Sequence, residues 1–313
     1  MNVSNKQLTL PGLSQWKVFF ALSRTPHGLL DVATPALAAL LWHGSFPKPE
    51  ITILGLITAF AGYTAVYALN DLVDYQADKK RVAVGLSPNR QSDVDSVFVR
   101  HPLAYGLLPF REGILWVLAW ASMALIGSYL LNPICAVIFL TSCLLEAIYC
   151  TLWKSSYLKL LISGAVKTAG PMAAVFAVDP DPAPLLLTLL FFWLFFWEIG
   201  GQNIPNDWAD VEEDRLLQAT TVPVRFGPAI ANVVILLSLL SAVALNVTLL
   251  GLSPVGIQPI SIWASLTSGM YLLLIPAYRL LRTGDRLQAL ALFNSASYYP
   301  VTMLGVIILS IAL

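Results

Sequence analysis

The chain has 313 residues, of which 57% are hydrophobic and only 12% are charged. Soluble globular proteins are typically about 45–50% apolar and about 25% charged, so this composition excludes an ordinary soluble domain and indicates an integral membrane protein. Eighteen Lys and Arg residues balance eighteen Asp and Glu residues. Because the net charge is zero, we expect no nucleic acid or other strongly charged polymer as a partner.

Apolar runs long enough to span a bilayer recur along the whole chain. A spanning helix needs about 20 mostly apolar residues, because the hydrocarbon core is about 30 Å thick and a helix rises about 1.5 Å per residue. The sequence has nine such runs, near residues 22–42, 51–73, 113–131, 133–153, 158–178, 183–204, 228–250, 260–281 and 289–312. We therefore predict an all-α bundle of nine transmembrane helices that forms a single membrane domain over residues 1–313.

The basic residues predict how the bundle is oriented. Cytoplasmic loops of membrane proteins carry an excess of Lys and Arg, and nine spans place the two termini on opposite sides. With the N-terminus in the cytoplasm, every basic residue falls on the cytoplasmic side except Lys48, in an outer loop, and Lys167, inside the fifth predicted span. We expect a multi-pass protein, of the cell membrane if the source is a bacterium, with its N-terminus in the cytoplasm.

Two acidic clusters lie at the predicted cytoplasmic ends of the second and sixth spans. Their polar side chains are Asn70, Asp71, Asp74 and Asp78 in the first cluster, and Asn203, Asn206, Asp207, Asp210 and Asp214 in the second. Residues three or four positions apart share one face of a helix, so each cluster predicts a row of carboxylates on one face. One such helix end is readily explained as a solvated cap, but the repeated spacing favours a shared binding site.

Crowded carboxylates need a counter-charge, because each one raises the pKa of its neighbours. A divalent cation supplies that charge, and Mg²⁺ prefers oxygen ligands from one or two carboxylates, substrate phosphates and water. Two acidic helix ends that face each other could hold a diphosphate between metal ions. The two clusters therefore predict a Mg²⁺-dependent diphosphate site at the cytoplasmic face.

Four stretches of the sequence resemble motifs of the UbiA superfamily of intramembrane prenyltransferases. NDLVDYQAD and DWADVEED resemble the family's NDxxDxxxD and DxxDxxxD motifs, RHPLAYG resembles RPLxxG, and TTVPVRFG resembles KTLPVRxG. The resemblance implies nine helices around a central cavity, with an internal duplication. We place the two similar parts at about 15–150 and 155–280, each with one acidic motif, followed by the ninth helix at 289–312.

The resemblance implies Mg²⁺-dependent ionisation of an allylic prenyl diphosphate, followed by attack of a lipophilic or aromatic acceptor on the allylic cation. The expected partners are the prenyl diphosphate, that acceptor and membrane lipid. The implied metal ligands are Asp71, Asp74, Asp78, Asp207, Asp210 and Asp214. Asp71, Asp74, Asp207 and Asp210 are the leading ligands, while Asp78 and Asp214 act through water or through the other ligands.

Other polar and aromatic residues near the motifs are candidates for substrate binding. They are Asn70, Asn203, Asn206, Arg100, Lys154, Arg225, Tyr67 and Tyr149. Lys167 lies about nine residues inside its predicted span, and we expect it to face the cavity and take part in catalysis. Glu198 precedes the second motif, and the sequence leaves open whether it serves the acceptor or pairs with a residue such as Lys167.

Three departures from the family pattern leave the acceptor open. Tyr75 follows Asp74, where members that act on 4-hydroxybenzoate commonly have Arg, and a longer polar loop replaces the short KRP passage. Ala219 or Thr220 replaces the usual Lys before the Thr-x-Pro sequence. An intramembrane terpene cyclase is the first alternative function. A cation-coupled transporter is the second, although transporters usually bind their ions near the bilayer midplane.

Overall fold

The computed structural model describes residues 15–83, 98–255 and 259–313, and all regular structure in these ranges is helical. Eight helical spans within them are long and apolar enough to cross a membrane. These spans are Pro49–Val73, Phe110–Leu131, Pro133–Leu152, Lys159–Val178, Pro184–Ala209, Val222–Leu252, Pro259–Thr283 and Arg286–Ala312. The prediction of an all-α, multi-pass membrane protein is therefore confirmed.

The individual helices follow the predicted spans with boundary differences of a few residues from 51–73 onward. In chain order they are α1 (Gln15–Leu22), α2 (Thr25–Asp31), α3 (Ala33–His43), α4 (Pro49–Val73), α5 (Tyr75–Ala83), α6 (Phe110–Leu131), α7 (Pro133–Leu152), α8 (Lys159–Val178), α9 (Pro184–Trp197), α10 (Ile204–Ala209), α11 (Val211–Leu216), α12 (Val222–Leu252), α13 (Pro259–Gly269), α14 (Ile275–Thr283) and α15 (Arg286–Ala312). Two π-helical segments, Glu198–Asn203 and Met270–Leu274, join α9 to α10 and α13 to α14.

The first predicted span, 22–42, differs from the expectation. It falls on three short helices, α1 to α3, so the count of nine continuous spans is not confirmed. Arg24 interrupts the chain between α1 and α2 with a left-handed backbone (φ 43°, ψ 47°), and Pro26 lies in the first turn of α2. A left-handed residue cannot continue a right-handed helix, so the chain bends at Arg24, near the start of the predicted run. The rest of the run falls on α2 and α3, which are separated at Val32.

The span formed by α9 and α10 carries the second acidic motif and packs closely against two other helices. Pro205 lacks a backbone N–H, and the π-helical segment just before it accommodates the lost hydrogen bond. A Cβ on Gly200 would lie 2.9 Å from the carbonyl oxygen of Ile235 in α12. A Cβ on Gly201 would lie 2.9 Å from Cβ of Ala296 in α15. The two glycines therefore permit the close approach that fixes the second motif between α12 and α15.

Buried apolar side chains are concentrated in the C-terminal half of the chain. The larger core includes Trp193 and Trp197 of α9, Leu239 of α12 and Tyr299 of α15. A smaller core joins α1, α4 and α6. α8 packs against α3, α7 and α9, and α4 packs against α6 and α7. These contacts leave a central cavity lined by α3, α4, α7, α8 and α10.

The division of the chain into two similar parts, at about 15–150 and 155–280, stays a prediction.

Candidate functional site

The central cavity is about 520 Å³ in volume and follows almost the whole length of α4, with lining residues from Ile51 to Asn70. At about 1.5 Å per residue, this stretch of helix is roughly 28 Å long, close to the thickness of a bilayer's hydrocarbon core. One end of the cavity is lined by the five aspartates Asp74, Asp78, Asp207, Asp210 and Asp214. The far end is lined mainly by small or apolar side chains, among them Ile51, Gly55, Ala59, Ala174 and Val178. The cavity is therefore charged at one end and apolar at the other.

The two acidic motifs have the same local form. α4 ends at Val73 and α5 begins at Tyr75, so Asp74 lies at a break between two helices (φ −80°, ψ −2°). Asp210 lies at the equivalent break between α10 and α11 (φ −102°, ψ 9°). Each motif thus presents carboxylates on both sides of a bend as well as at the bend itself. The sequence predicts a row of carboxylates on one face of a helix, and the structure differs because the helix breaks at the middle aspartate of each motif.

His101 joins the first and last aspartates of the first motif. Its Nδ1 lies 3.0 Å from Oδ1 of Asp71 and 2.8 Å from Oδ2 of Asp78. The three side chains lie close enough together to hold a metal ion, but this set includes a nitrogen, whereas Mg²⁺ prefers oxygen ligands alone. Asp71 is buried and does not line the cavity, in contrast to Asp74 and Asp78. The structure therefore places Asp71, predicted as a leading metal ligand, behind His101.

Lys159 and Arg81 are the basic partners of the second motif. Nζ of Lys159 donates to Oδ1 of Asp207 at 2.8 Å, and both side chains are buried. Arg81 lies between the motifs, with Nη1 3.3 Å from Oδ1 of Asp78 and Nη2 3.6 Å from Oδ1 of Asp214. Its guanidinium also lies 4.5 Å from the ring centroid of Trp153. Lys159 thus connects the second motif to α8, and Arg81 connects the two motifs to each other.

The acidic end holds more negative charge than its basic partners balance. Burial, followed by repulsion from Asp78, raises the pKa of Asp74 to about 7. Burial and the Asp207 carboxylate raise the pKa of Asp214 to about 6. Burial also opposes ionisation of Asp78, but the charges of His101 and Arg81 outweigh it and hold the pKa of Asp78 below its ordinary value.

The donor set at this end suits a hard divalent cation. Five carboxylates from two motifs line one cavity, and Oδ2 of Asp71, behind them, is buried without a hydrogen-bond partner among the described residues. A cation would lower the raised pKa values of Asp74 and Asp214, because an opposite charge favours the ionised carboxylate. The residues therefore fit Mg²⁺, with Asp74, Asp78, Asp207, Asp210 and Asp214 as the carboxylates that face the cavity.

A second group of ionisable side chains lies deeper in the cavity. Lys167 lines the cavity, as predicted, and its Nζ donates to Oδ2 of Asp31 at 2.6 Å and to Oη of Tyr67 at 3.1 Å. Tyr67 also donates to Oδ2 of Asp31. Oε2 of Glu198 lies 4.0 Å from the same Nζ, and Oε1 accepts a hydrogen bond from Ser163 at 2.6 Å. The expected proximity of Glu198 to Lys167 is present, but Asp31 is the closer partner.

The asparagines of the two motifs hold neighbouring side chains in place. Nδ2 of Asn70 donates to Oε1 of Glu146 at 2.6 Å, and Oδ1 of Asn70 accepts from Arg24 at 3.2 Å. Nδ2 of Asn203 donates to Oη of Tyr149 at 3.2 Å. Each of the two amide groups therefore has at least one protein partner, and phosphate binding by Asn70 and Asn203 stays a prediction.

The structure brings most of the predicted site residues together. Those that line the cavity are Tyr67, Asn70, Asp74, Asp78, Arg100, Tyr149, Lys167, Asn203, Asn206, Asp207, Asp210 and Asp214. Lys154 and Arg225 are exposed and do not line the cavity. Lys159, five positions after Lys154, makes the buried contact with the acidic motif instead.

Among the charged or ionisable cavity residues that were not predicted as site residues are Arg24, Arg81, His101 and Glu146. Arg24 and His101 are two of the three non-glycine residues with positive φ among the described residues. Such conformations concentrate at functional sites, where the surrounding structure holds them in place. The sequence carries no signal for this backbone geometry, although His101 directly follows the predicted Arg100.

The fold and the site define an all-helical membrane protein with two acidic motifs at one end of a central cavity. The chain belongs to the UbiA prenyltransferase family, since the family model of that description matches residues 32–298. A search of curated protein sequences gives no significant match.

Solved structures share the fold at low sequence identity. A UbiA homologue from Aeropyrum pernix K1 matches with a TM-score of 0.72 at 18% identity, covering 90% of this chain and 97% of that one. A digeranylgeranylglyceryl phosphate synthase matches with a TM-score of 0.68 at 17% identity, covering 95% and 99%. A homologue from Archaeoglobus fulgidus bound to DMAPP and Mg²⁺ matches with a TM-score of 0.65 at 17% identity, covering 92% and 98%. The predicted fold family is therefore confirmed, whereas the predicted count of nine spans is not.

Proposed function

We propose that this protein is an intramembrane prenyltransferase that uses Mg²⁺ to transfer the prenyl group of an allylic prenyl diphosphate to a lipophilic or aromatic acceptor. The observation that carries the proposal is the convergence of five aspartates on one end of a cavity whose far end is apolar. Such a cavity matches a molecule with an anionic diphosphate head and a hydrocarbon tail. The Archaeoglobus fulgidus homologues bound to DMAPP or GPP with Mg²⁺ support this substrate class.

In the proposed reaction the bond between C1 of the prenyl group and the diphosphate oxygen breaks, and a new bond joins C1 to the acceptor. The acceptor loses a proton, and diphosphate leaves. Mg²⁺ bound by the aspartates would neutralise the negative charge that develops on the leaving diphosphate. Lys159 holds Asp207 in place, and Arg81 and Arg100 add positive charge at the same end of the cavity.

The walls of the cavity suit an allylic cation. Tyr67 and Tyr149 line the cavity between the acidic end and the apolar end. The faces of aromatic rings attract cations without acting as strong nucleophiles, and a closed apolar wall excludes water that would capture the cation. We place the acidic end at the cytoplasmic face, in line with the distribution of basic residues.

Product analysis tests this function. The purified protein is incubated with radiolabelled geranyl, farnesyl and geranylgeranyl diphosphate, with Mg²⁺ or EDTA, and with or without a lipid extract as acceptor source. We expect Mg²⁺-dependent release of diphosphate and a prenylated product, identified by mass spectrometry, only when acceptor is present. A cyclic hydrocarbon or alcohol formed without acceptor would instead identify a terpene cyclase.

Substitutions on the cavity face of α4 are expected to shorten the prenyl chain that the enzyme accepts. A Cβ on Gly62 would make only ordinary contact with Phe139, at 3.8 Å, and a Cβ on Gly55 would have open space around it. Both glycines line the cavity and lie seven residues apart, roughly 10 Å along the helix. Gly62 lies nearer the acidic end, so the longest prenyl chain that Gly62→Leu accepts should be shorter than the longest chain that Gly55→Leu accepts. Competition among prenyl diphosphates of different length measures this limit.

Gly305 provides the matched control for this series. It is exposed on α15, outside the cavity lining, and a Cβ there would also have open space. Gly305→Leu should leave the preference for chain length unchanged. An equal loss of all chain lengths in Gly62→Leu and Gly55→Leu would contradict a tail that lies along α4.

A further inference from the structure

One ring nitrogen of His101 lies between two carboxylates of the first acidic motif. Nδ1 of His101 is 3.0 Å from Oδ1 of Asp71 and 2.8 Å from Oδ2 of Asp78. A ring nitrogen of histidine carries at most one hydrogen, so a single N–H would have to serve both carboxylates. A metal ion bound to all three atoms would instead satisfy each of them. We call Asp71, Asp78 and His101 the His101 cluster.

The spacing within the His101 cluster matches that of ligands around one metal ion. The three ligand atoms lie within 4.8 Å of one another. Zinc lies about 2.0–2.2 Å from its nitrogen and oxygen ligands, so two ligands at right angles are about 3 Å apart. The two distances from Nδ1 of His101 are close to that value. Small movements of the side chains would therefore be enough to place an ion among them.

The Asp71 carboxylate has one oxygen atom whose partner is missing. Oδ2 of Asp71 is buried without a hydrogen-bond partner among the described residues, and the residue is only 3% exposed. A buried oxygen without a donor is costly, and in native structures it usually indicates an ion or water that belongs there. A metal ion fits this position, because carboxylates bind metals through one or both of their oxygens.

The neighbouring basic side chains contact other atoms of the motif. Arg81 contacts Oδ1 of Asp78 at 3.3 Å, whereas His101 contacts Oδ2 of the same carboxylate. The positive charges of Arg24 and Arg81 also act on Asp74, and Arg81 is shared with the second motif. An ion could therefore join the three atoms of the His101 cluster without displacing Arg81 from Asp78.

The donor set of the His101 cluster favours a transition metal over Mg²⁺. Mg²⁺ prefers oxygen ligands alone, whereas an imidazole nitrogen suits Zn²⁺ and other first-row transition metals. Three protein ligands leave at least one position for water or for an oxygen of a substrate. His101 and Asp78 line the cavity, so an ion can reach the cluster from the cavity side.

We propose that Asp71, Asp78 and His101 bind a divalent transition metal ion such as Zn²⁺ in preference to Mg²⁺. The His101 cluster is a second metal site, and it shares Asp78 with the carboxylates that fit Mg²⁺. The imidazole nitrogen provides the preference, and Asp71 supplies a buried ligand that does not line the cavity. The inference goes beyond the proposed function and does not depend on it, because binding of the ion requires no prenyl diphosphate.

Binding of Zn²⁺ to the full chain tests the site. The protein is purified with an affinity tag that contains no histidine and is placed in lipid nanodiscs without prenyl diphosphate. Equilibrium dialysis against Zn²⁺ is carried out in excess Mg²⁺, which occupies the carboxylates that fit Mg²⁺. We expect a Zn²⁺ ion that the excess Mg²⁺ does not displace, because nitrogen and oxygen donors together bind Zn²⁺ more tightly. Absence of bound Zn²⁺, or its displacement by Mg²⁺, would overturn the proposal.

Two substitutions of His101 show whether its nitrogen holds the ion. His101→Asn should weaken Zn²⁺ binding by roughly 100-fold or more, since even a residue that only supports a ligand typically contributes about 10–100-fold. His101→Arg should weaken it as much, because a guanidinium can pair with Asp71 and Asp78 but has no lone pair for a metal. Arg precedes Pro in the RPLxxG pattern, so we expect this variant to fold. Unchanged affinity in a folded variant of either kind would overturn the proposal.

His43 provides the matched control, because it is exposed at the end of α3. His43→Asn should retain the affinity of the original chain for Zn²⁺. Cu²⁺ then serves as a spectroscopic probe of the ligands. Pulsed electron paramagnetic resonance should show an imidazole nitrogen coupled to the bound Cu²⁺ in the original chain and in His43→Asn, but not in His101→Asn. A nitrogen signal of the same strength in His101→Asn would contradict the site.

A parallel assay separates this inference from the proposed function. It measures Mg²⁺-dependent release of diphosphate from geranylgeranyl diphosphate by the same preparations. If release is absent while Zn²⁺ binds through His101, the proposed function fails and the metal site stands. If release occurs but His101→Asn binds Zn²⁺ as tightly as the original chain does, only the inference fails.

Discussion

Asp74→Asn and Asp207→Asn are each expected to lower Mg²⁺-dependent prenyl transfer by roughly 10²–10³-fold or more, the cost typical of removing one group that stabilises charge in a transition state. Both carboxylates line the acidic end of the cavity, one from each motif. An amide keeps the shape of the side chain but loses the charge that holds a divalent cation. Initial rates over a range of Mg²⁺ concentrations measure the effect, which should include a higher Mg²⁺ requirement.

Asp71 is the informative comparison for this pair. Its carboxyl lies behind His101 and does not line the cavity. Asp71→Asn should therefore cost only about tenfold, since it acts through the position of His101 and does not remove a Mg²⁺ ligand. Glu212→Gln, at an exposed side chain of the second motif, should leave the rate unchanged. Equal losses for Asp71→Asn and Asp74→Asn would show that the cavity lining does not identify the ligands.

Lys159→Met is expected to destabilise the folded protein by about 3–5 kcal/mol, because it leaves a buried carboxylate without its counter-charge. Nζ of Lys159 lies 2.8 Å from Oδ1 of Asp207, and the two side chains are 2% and 7% exposed. The midpoint of thermal unfolding in detergent, measured without Mg²⁺, reports the loss. Added Mg²⁺ should stabilise the variant more than the original chain, since a bound cation replaces the missing charge.

A double variant and a surface control complete this experiment. Lys159→Met combined with Asp207→Asn should recover much of the lost stability, because no unpaired charge remains, yet prenyl transfer should stay absent. Lys154→Met makes the same substitution at an exposed position, where the change should be within about 0.5 kcal/mol. A stable Lys159→Met variant with unaltered thermal unfolding would contradict the buried pair.

Several features of the site follow from local sequence alone. The spacing of Asp207, Asp210 and Asp214 predicts a shared binding site, and all three side chains line the acidic end of the cavity, although the helix breaks at Asp210. Lys167 was expected in the cavity because a lysine inside a span needs a polar environment. Both predictions depend on residues within one or two turns of a single helix. Over that distance the order of polar and apolar residues indicates which side chains are neighbours.

The partners of these residues come from distant parts of the chain. Lys167 and Asp31 are separated by 136 positions, and Lys159 and Asp207 by 48. Pattern within one helix does not show which of two nearby lysines faces a neighbouring helix. Lys154, the predicted substrate-binding residue, is exposed, whereas Lys159 is buried against Asp207. The left-handed backbone at Arg24 is equally invisible in composition, and it separates α1 from α2 near the start of the apolar run 22–42.

The sequence by itself determined that the chain lies in a membrane, where eight of its spans run, and to which family it belongs. Apolar content, the length of the apolar runs and the two acidic motifs are local properties of the sequence. They can be identified without knowing how the helices pack against one another. Only the tertiary structure decided that Asp71 lies behind His101, that Lys159 neutralises Asp207, and that Asp31 holds Lys167. Those outcomes depend on which helices contact each other across the cavity, because a buried charge is stabilised by whatever counter-charge the packing brings near it.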